Sequence, residues 1–375
     1  MKCVVSRQEL SDLVGRVQTI VAPRTPIPIL SNFLLEAHDN SLVITATDLT
    51  VGIRCTGSAK VIQPGATTIP ARRFAQLLRE LTVSHIEIAT NEKEITQITA
   101  EASTFRLHGL SKNEFPALPD FSGAMQFHFT QKNLKEMLFR TSFAVSKEDN
   151  RYVLTGVYLQ CSGSVALFVG TDGKRLARAY LPLQKDVEAP LESIIPLKAI
   201  DEITKNLREN DEPATFYMMP DKIAVEANDM VVVTKLLSGD YPDVDRVIPT
   251  ASHGVVSVHR EELMSLLRQI ALFTNDLSHS VRCTLDNAEL YLSANTMDVG
   301  EGKVSMPVNY TGPRFDIAFN PLYLLHILQH SRKETVSFGF TDAFNPMVIA
   351  DGELEASHKE FPSPLFVLMP LRLNE

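Results

Sequence analysis

The residues nearest to a catalytic pattern are two aspartates in matching tripeptides, Asp48 in Thr47-Asp48-Leu49 and Asp172 in Thr171-Asp172-Gly173. Carboxylates of this kind serve general acid–base chemistry, and Thr171-Asp172-Gly173-Lys174 has the composition of a phosphate-holding loop. Nothing around them completes either chemistry. The chain has no G-x-x-x-x-G-K-[ST], G-x-S-x-G, H-E-x-x-H or G-x-G-x-x-G string. The tripeptides stand 124 residues apart, and an aspartate at the same place in successive repeats is a turn residue whose carboxylate caps local N–H groups. Cys3, Cys55, Cys161 and Cys283 are scattered, without a C-x-x-C pair or histidines at ligand spacing. Neither a disulfide framework nor a zinc site follows from such spacing. The expectation is small buried thiols in a reducing cytoplasm, no catalytic residues, no cofactor and no metal.

The elements that carry these turns repeat as well. Thr68-Ile69-Pro70-Ala71-Arg72-Arg73-Phe74, Ile194-Ile195-Pro196-Leu197-Lys198-Ala199-Ile200 and Ala318-Phe319-Asn320-Pro321-Leu322-Tyr323-Leu324 each read as a strand, a proline and an amphipathic helix. The prolines are 126 and 125 residues apart in a chain of 375, and each is expected at the first helical position, where its missing N–H has no partner to lose. Phe115-Pro116 and Tyr241-Pro242 keep the same step. So do three helical stripes: Leu10, Leu13, Val14 and Val17; Leu134, Met137 and Leu138; Leu263, Leu266, Leu267 and Ile270. Ser6-Arg7-Gln8-Glu9 ahead of the first stripe has the form of a capping box. A period this long exceeds the roughly 20–50 residues of solenoid units and predicts three whole domains of one fold, 1–124, 125–251 and 252–375. Each is expected to be an α+β unit in which strand–helix–strand–strand–strand occurs twice, giving two helices on about eight antiparallel strands.

Composition is that of ordinary globular cores, 44% hydrophobic. No apolar stretch approaches the roughly 20 residues of a membrane span. Met1-Lys2-Cys3-Val4-Val5 reads as a strand without signal-peptide architecture, which predicts a cytoplasmic protein. Net charge is −9. The first third carries 12 basic and 12 acidic groups, the second 15 and 18, the last 9 and 15. That balance argues against a conventional groove-reading DNA binder, which is expected to be basic.

Several strings resemble the bacterial DNA polymerase III beta subunits, the sliding clamps. Thr171-Asp172-Gly173-Lys174-Arg175-Leu176-Ala177 is similar to the T-D-G-x-R-L-A signature of that family, and Val367-Leu368-Met369-Pro370-Leu371-Arg372-Leu373 resembles its V-x-M-P-x-R-L terminus. Pro23-Arg24-Thr25-Pro26-Ile27-Pro28-Ile29-Leu30-Ser31-Asn32, Pro64-Gly65-Ala66-Thr67-Thr68-Ile69-Pro70-Ala71-Arg72 and Asn150-Arg151-Tyr152-Val153-Leu154-Thr155-Gly156 match in order and spacing. The resemblance spans essentially the whole chain. It implies three tandem clamp domains in a head-to-tail homodimeric ring that encircles double-stranded DNA without reading its sequence. It implies a non-catalytic processivity subunit that tethers the replicative polymerase, and that clamp loader and repair polymerases also bind through short peptides. A ring holds DNA by topology, so an acidic exterior is compatible with it.

The resemblance also implies site residues. Partner peptides, bearing a glutamine and large apolar side chains, would dock on Leu154, Thr171, Gly173, Arg175, Leu176, Pro242, Arg246 and Val247, with Phe344, Pro346, Val367, Met369, Pro370, Leu371 and Arg372 from the last domain. A trough with methionine adapts to varied side chains. The dimer interface would set Phe105 and Leu107 against Leu272 and Phe273, with Arg73 and Arg106 facing Asp298 and Glu301. Alternation puts Arg106 on the face opposite Phe105 and Leu107, so these two read equally as core of their own domain. DNA phosphates would meet Arg24, Arg72, Lys147, Arg151, Tyr152 and Lys198.

The chain departs from the family pattern at Lys174 (often His), Val153 (an aromatic), Pro346 (often small and polar) and the extension Asn374-Glu375. A three-domain scaffold that binds proteins without DNA is the rival reading. Retention on circular but not linear nicked DNA separates the two.

Overall fold

The computed structural model describes residues 1–22, 25–275, 279–355 and 363–372. Among them are six α-helices: α1 (Arg7–Val17), α2 (Ala71–Glu80), α3 (Gln131–Ser142), α4 (Leu197–Asn206), α5 (Arg260–Ala271) and α6 (Pro321–Gln329). Two fall in each third of the sequence. Each stripe read from the sequence is an inner face: α1 buries Leu10, Leu13, Val14 and Val17, and α3 buries Leu134, Met137 and Leu138. In α5 the buried set is Leu263, Met264, Leu267 and Ile270, with Leu266 only partly covered at the edge of the core. Burying each such side chain contributes about 2 kcal/mol.

Two local expectations change. The capping box is half made: Ser6 Oγ accepts from Glu9 N–H at 3.1 Å, but the Glu9 carboxylate turns away to accept from Ser58 N–H at 3.2 Å. Only Pro321 starts its helix. Pro70 is the N-cap of α2, at φ −58° and ψ 108°, and Pro196 ends the strand Arg175–Pro196 ahead of α4. In both copies the proline's fixed φ serves the last extended residue.

The strands total nine in the first third, six in the second and eight in the last among the described residues. The middle third has fewer because one long hairpin, Gly156–Thr171 with Arg175–Pro196, does the work expected of several short strands. Bulges at Cys161/Gly163 and Gly163/Val165 let its register shift without a turn.

The chain forms two compact units, and their boundary cuts the middle third: Met1–Lys135 with Lys198–Leu236, and Glu136–Leu197 with Leu237–Glu375. The sheets explain the cut. In the first unit, an eight-stranded sheet runs Met125–Thr130, Pro213–Met218, Lys222–Ala227, Met230–Lys235, Val51–Ser58, Ser41–Thr47, Asn32–His38, Gly65–Pro70. It passes from middle to first third where Val232 pairs with Ile53 and Met230 with Cys55. Its companion of five strands runs Lys60–Gln63, Lys2–Ser6, His85–Thr90, Ile95–Ala100, Ser103–His108.

In the second unit, a six-stranded sheet runs Gly156–Thr171, Arg175–Pro196, Leu365–Leu368, Met347–Asp351, Thr335–Phe340, Gly254–His259. A four-stranded sheet runs Gly300–Pro307, Glu289–Thr296, Val281–Asp286, Phe315–Phe319. Backbone ladders therefore cross from one sequence third to the next, and contact follows the sheets.

Candidate partner-peptide site

The two Thr-Asp turns are built alike. Asp172 Oδ1 accepts from the N–H groups of Lys174 (2.9 Å) and Arg175 (3.0 Å). Asp48 Oδ1 accepts from Thr50 (2.8 Å) and Val51 (2.7 Å). Thr171 Oγ1 donates to Arg175 C=O and accepts from Gly173 N–H, just as Thr47 serves Val51 and Leu49. The third turn residue is left-handed in both, Gly173 at φ 79° and Leu49 at φ 74°. In each, Oδ1 closes the turn while Oδ2 meets a cation, Arg175 at Asp172 and Lys198 at Asp48, so both carboxylates are structural.

From the Asp172 turn the chain enters Arg175–Pro196, which pairs with the C-terminal strand: Arg175 with Leu368, Leu176 with Val367. On the other side of that strand, Val348 pairs with Val367 and Met347 with Leu368, which sets Pro346 next to Met369. Met369 N–H donates to Lys174 C=O at 3.0 Å, prolonging the ladder. Leu176 and Val367 share a buried cluster with Ile248, edged by Tyr241 and Val244. The turn of 3-10 helix Val244–Val247 is tied to the strand by Arg178–Asp245 at 2.9 Å. The result is a floor of buried Leu176 and Val367 beside exposed apolar side chains, Val247 at 43% and Met369 at 37% exposure. Exposed Pro242 and Phe344, at 77% exposure, are further apolar surface in the same unit.

Not every expected pocket residue faces a ligand. Leu154 and Thr171 are buried. Arg246 is exposed and pairs with Asp243 at 2.9 Å, which leaves it at a polar rim. Arg175 is buried and fully engaged: Nε to Asp172 at 3.2 Å, Nη2 to Phe143 C=O at 2.8 Å and Nη1 to His326 Nδ1 at 2.8 Å. Its guanidinium also lies over the rings of Tyr323 and Phe143, at 4.8 and 5.3 Å. It holds the turn from beneath. Tyr323 and His326 of α6 were missed by sequence reasoning. Asn320-Pro321-Leu322-Tyr323 served only as a repeat landmark, and helical spacing gives no sign that Tyr323 meets a turn far off in sequence. Beyond Met369 the chain diverges. Leu371 N–H bonds Ala318 C=O at 2.8 Å, and Leu371 and Arg372 line a separate groove of about 1000 Å³ with Arg282 and Lys303. Asn374 and Glu375 lie outside the described residues.

Models of the DNA polymerase III beta subunit match the chain in three consecutive pieces: the N-terminal domain at residues 1–119, the central domain at 128–243 and the C-terminal domain at 245–362. The chain belongs to the DNA polymerase III beta subunit family. It is 49% identical over 375 residues to the beta sliding clamp of Chlamydia pneumoniae, with both chains covered completely. It is 30% identical over 376 residues to that of Escherichia coli, again with full coverage of both. Among solved structures it is similar to the Pseudomonas aeruginosa clamp bound to griselimycin, at TM-score 0.93 and 29% identity, and to the Bacillus subtilis clamp, at TM-score 0.93 and 25% identity, each with both chains fully covered. The three tandem clamp domains are those of the family, and the chain is a non-catalytic processivity factor of DNA polymerase III.

The other residues expected of a beta subunit are differently placed. Ser103–His108 is the last strand of its sheet. Phe105 is 36% exposed, Arg106 is exposed and Leu107 half-covered, so Phe105 is not core of its own domain. Leu272, at the C-cap of α5, is 75% exposed. Phe273 is partly buried, against Gly302. Arg73, Asp298 and Glu301 are exposed.

Of the expected DNA contacts, Arg24 lies outside the described residues. Arg72 and Lys147 are exposed, and Tyr152 is 56% exposed. Arg151 donates to Asp172 C=O at 2.9 Å, and Lys198 pairs with Asp48 at 2.5 Å, so both already hold partners. No helix among the described residues is long and apolar enough to cross a membrane. All four cysteines are buried free thiols, and burial pushes Cys3 and Cys55 up to about 11.

Proposed function

We propose that two copies of this chain close head to tail into a ring around double-stranded DNA in the cytoplasm, each copy built of domains 1–124, 125–251 and 252–375. The observation that carries the reading is a pair of uncovered sheet edges. Ser103–His108 ends the five-stranded sheet and Gly300–Pro307 ends the four-stranded one. A free edge presents unpaired N–H and C=O groups ready for another strand. Exposed Phe105 on the first and Leu272 beside the second supply apolar surface to bury, and Arg73 and Arg106 can orient on Asp298 and Glu301 at the rim. Such a contact is heterologous and closes if the rotation permits.

On that ring the replicative polymerase, the clamp loader and repair polymerases dock by short peptides in the trough of Leu176, Val247, Val367 and Met369. Arg72, Lys147 and Tyr152 are the exposed candidates for meeting DNA, with Arg151 and Lys198 available only if they leave their present partners. Sedimentation tests the assembly: the chain of 41.7 kDa is expected at twice that mass at micromolar concentration. Loaded protein is expected to stay on nicked circular DNA and to leave when the circle is cut. A strict monomer, or equal retention on linear DNA, refutes the ring.

A further inference from the structure

We propose that His326 is a positioning residue for partner binding: its neutral imidazole, acting through Arg175, holds the Thr171–Leu176 turn in its binding shape. The proposal rests on the reading of the trough as the partner-peptide site. Arg175 stands at the end of that turn with its guanidinium beneath it. Asp172 and the Phe143 carbonyl fix two of its nitrogens, and Nη1 is fixed by His326 Nδ1 at 2.8 Å. An arginine can only donate, so His326 Nδ1 must be a lone pair and the ring must be neutral. Protonation would set an N–H against an N–H and one cation against another, and Arg175 would have to move. Its backbone N–H is one of the two that close the Asp172 turn, and its carbonyl is the acceptor of Thr171 Oγ1. Movement of the side chain therefore reaches the turn directly.

The surroundings favour the neutral form. His326 is held below its ordinary 6.5 by burial first, then by the charges of Arg175 and Lys147. One turn on, His330 is also held down, chiefly by burial; its Nδ1 lies 2.7 Å from the His326 carbonyl and its ring stacks on Phe143 at 4.1 Å. Among the described residues, the one carboxylate joined to Arg175 and His326 is Asp172, on the far side of Arg175. The sign follows: a histidine with a depressed folded pKa keeps the turn ordered above 6.5 and releases it as pH falls below that value.

The test uses the full chain and two readouts. Hydrogen exchange at the Gly173, Lys174 and Arg175 amides reads the turn without any ligand. Affinity for a short dye-labelled synthetic peptide carrying one glutamine and large apolar side chains reads the trough. In His326→Leu, exchange at these amides is expected to rise about tenfold and peptide affinity to fall about tenfold at pH 8. In His326→Asn, whose Oδ1 can take the place of Nδ1, both are expected within about twofold of the native chain. The native chain should keep its affinity above pH 6.5 and lose it as pH falls further through the lowered pKa of His326, and His326→Asn should not. Unchanged turn exchange in His326→Leu overturns the proposal, as does an acid loss that persists in His326→Asn. If the turn loosens in His326→Leu while peptide affinity does not change, the positioning role stands and the assignment of the trough fails instead.

Discussion

Asp351 shows how one residue of this chain depends on its neighbours. Its carboxylate, 3% exposed, meets Arg140 of α3 at 2.6 Å, and Arg140 is itself only 10% exposed. It also accepts from the N–H groups of Arg332 and Lys333. Burial alone would raise its pKa, but these donors outweigh it and hold it below the ordinary 3.8. A depressed carboxylate contributes stability that is present above its unfolded pKa and lost as pH falls through the folded one. Asp351→Asn is expected to leave the buried Arg140 with Glu136, at 2.6 Å, as its one remaining carboxylate partner, costing about 2 kcal/mol. Thermal melting should show the variant less stable at pH 7, with a shallower decline than the native chain between about pH 5 and pH 3. Equal melting temperatures at pH 7 would contradict the role given to the pair.

Residues of the trough behave differently according to depth. Met369, partly exposed, is a surface wall, so Met369→Ala is expected to weaken a micromolar peptide about tenfold, or 1.4 kcal/mol, while leaving the melting temperature in place. Leu176 is 2% exposed and truncation there also leaves a cavity worth about 2–5 kcal/mol of stability. Leu176→Ala should thus lose both binding and stability. Titration and melting on the two variants distinguish wall from floor.

At the scale of the element, the two Thr-Asp turns make a natural experiment. They share the four bonds made by the threonine hydroxyl and the aspartate Oδ1, yet one places Gly173 and the other Leu49 in the left-handed region. A side chain there carries strain, while glycine gives the unfolded chain more freedom, and the two effects partly cancel. Leu49→Gly is expected to stabilise by about 0.5 kcal/mol. Gly173→Ala is expected to destabilise by about 1 kcal/mol, because a side chain at φ 79° is strained; the Arg151 Nη1 that its Cβ would meet is the end of a flexible side chain and can move aside, giving up its bond to the Asp172 carbonyl. Opposite shifts in melting temperature are the predicted result. The C-terminal strand tells a related story. Leu365–Leu368 is central in its sheet and wholly buried, whereas the chain from Met369 adds two backbone hydrogen bonds, to Lys174 and Ala318. Deleting residues from Met369 onward should remove about 2 kcal/mol, keep the fold and abolish peptide binding.

For the whole molecule, burial separates the two apolar residues at the end of α5. Leu272 is exposed and in the proposed ring meets another copy, whereas Phe273 leans on its own domain. Leu272→Ala alone is expected to weaken the dimer by about 2 kcal/mol with an unchanged melting temperature at concentrations where both proteins are monomeric. Adding Phe273→Ala should weaken the dimer further and lower the melting temperature too. Sedimentation at a series of concentrations reads the first effect, and an unshifted dissociation constant would place the interface elsewhere.

The sequence by itself determined the repeat, the helix stripes, the capping turns of Asp48 and Asp172 and the strings shared with the beta subunits. These are local: side-chain spacing decides which face of a helix is buried, and an aspartate two residues before free N–H groups closes a turn wherever it stands. The tertiary structure alone decided that Val51–Ser58 pairs with Met230–Lys235, that Arg175–Pro196 pairs with the C-terminal strand, and that Arg175 is buried between Asp172, Phe143 and His326. Alternation states which side of a strand faces a core, but backbone N–H and C=O groups are the same at every residue, so nothing in the pattern names the neighbouring strand. Arg175 looked like a ligand-facing cation for the same reason. Its burial is set by α6, some 150 residues away in sequence, and only folding brings that helix to the turn.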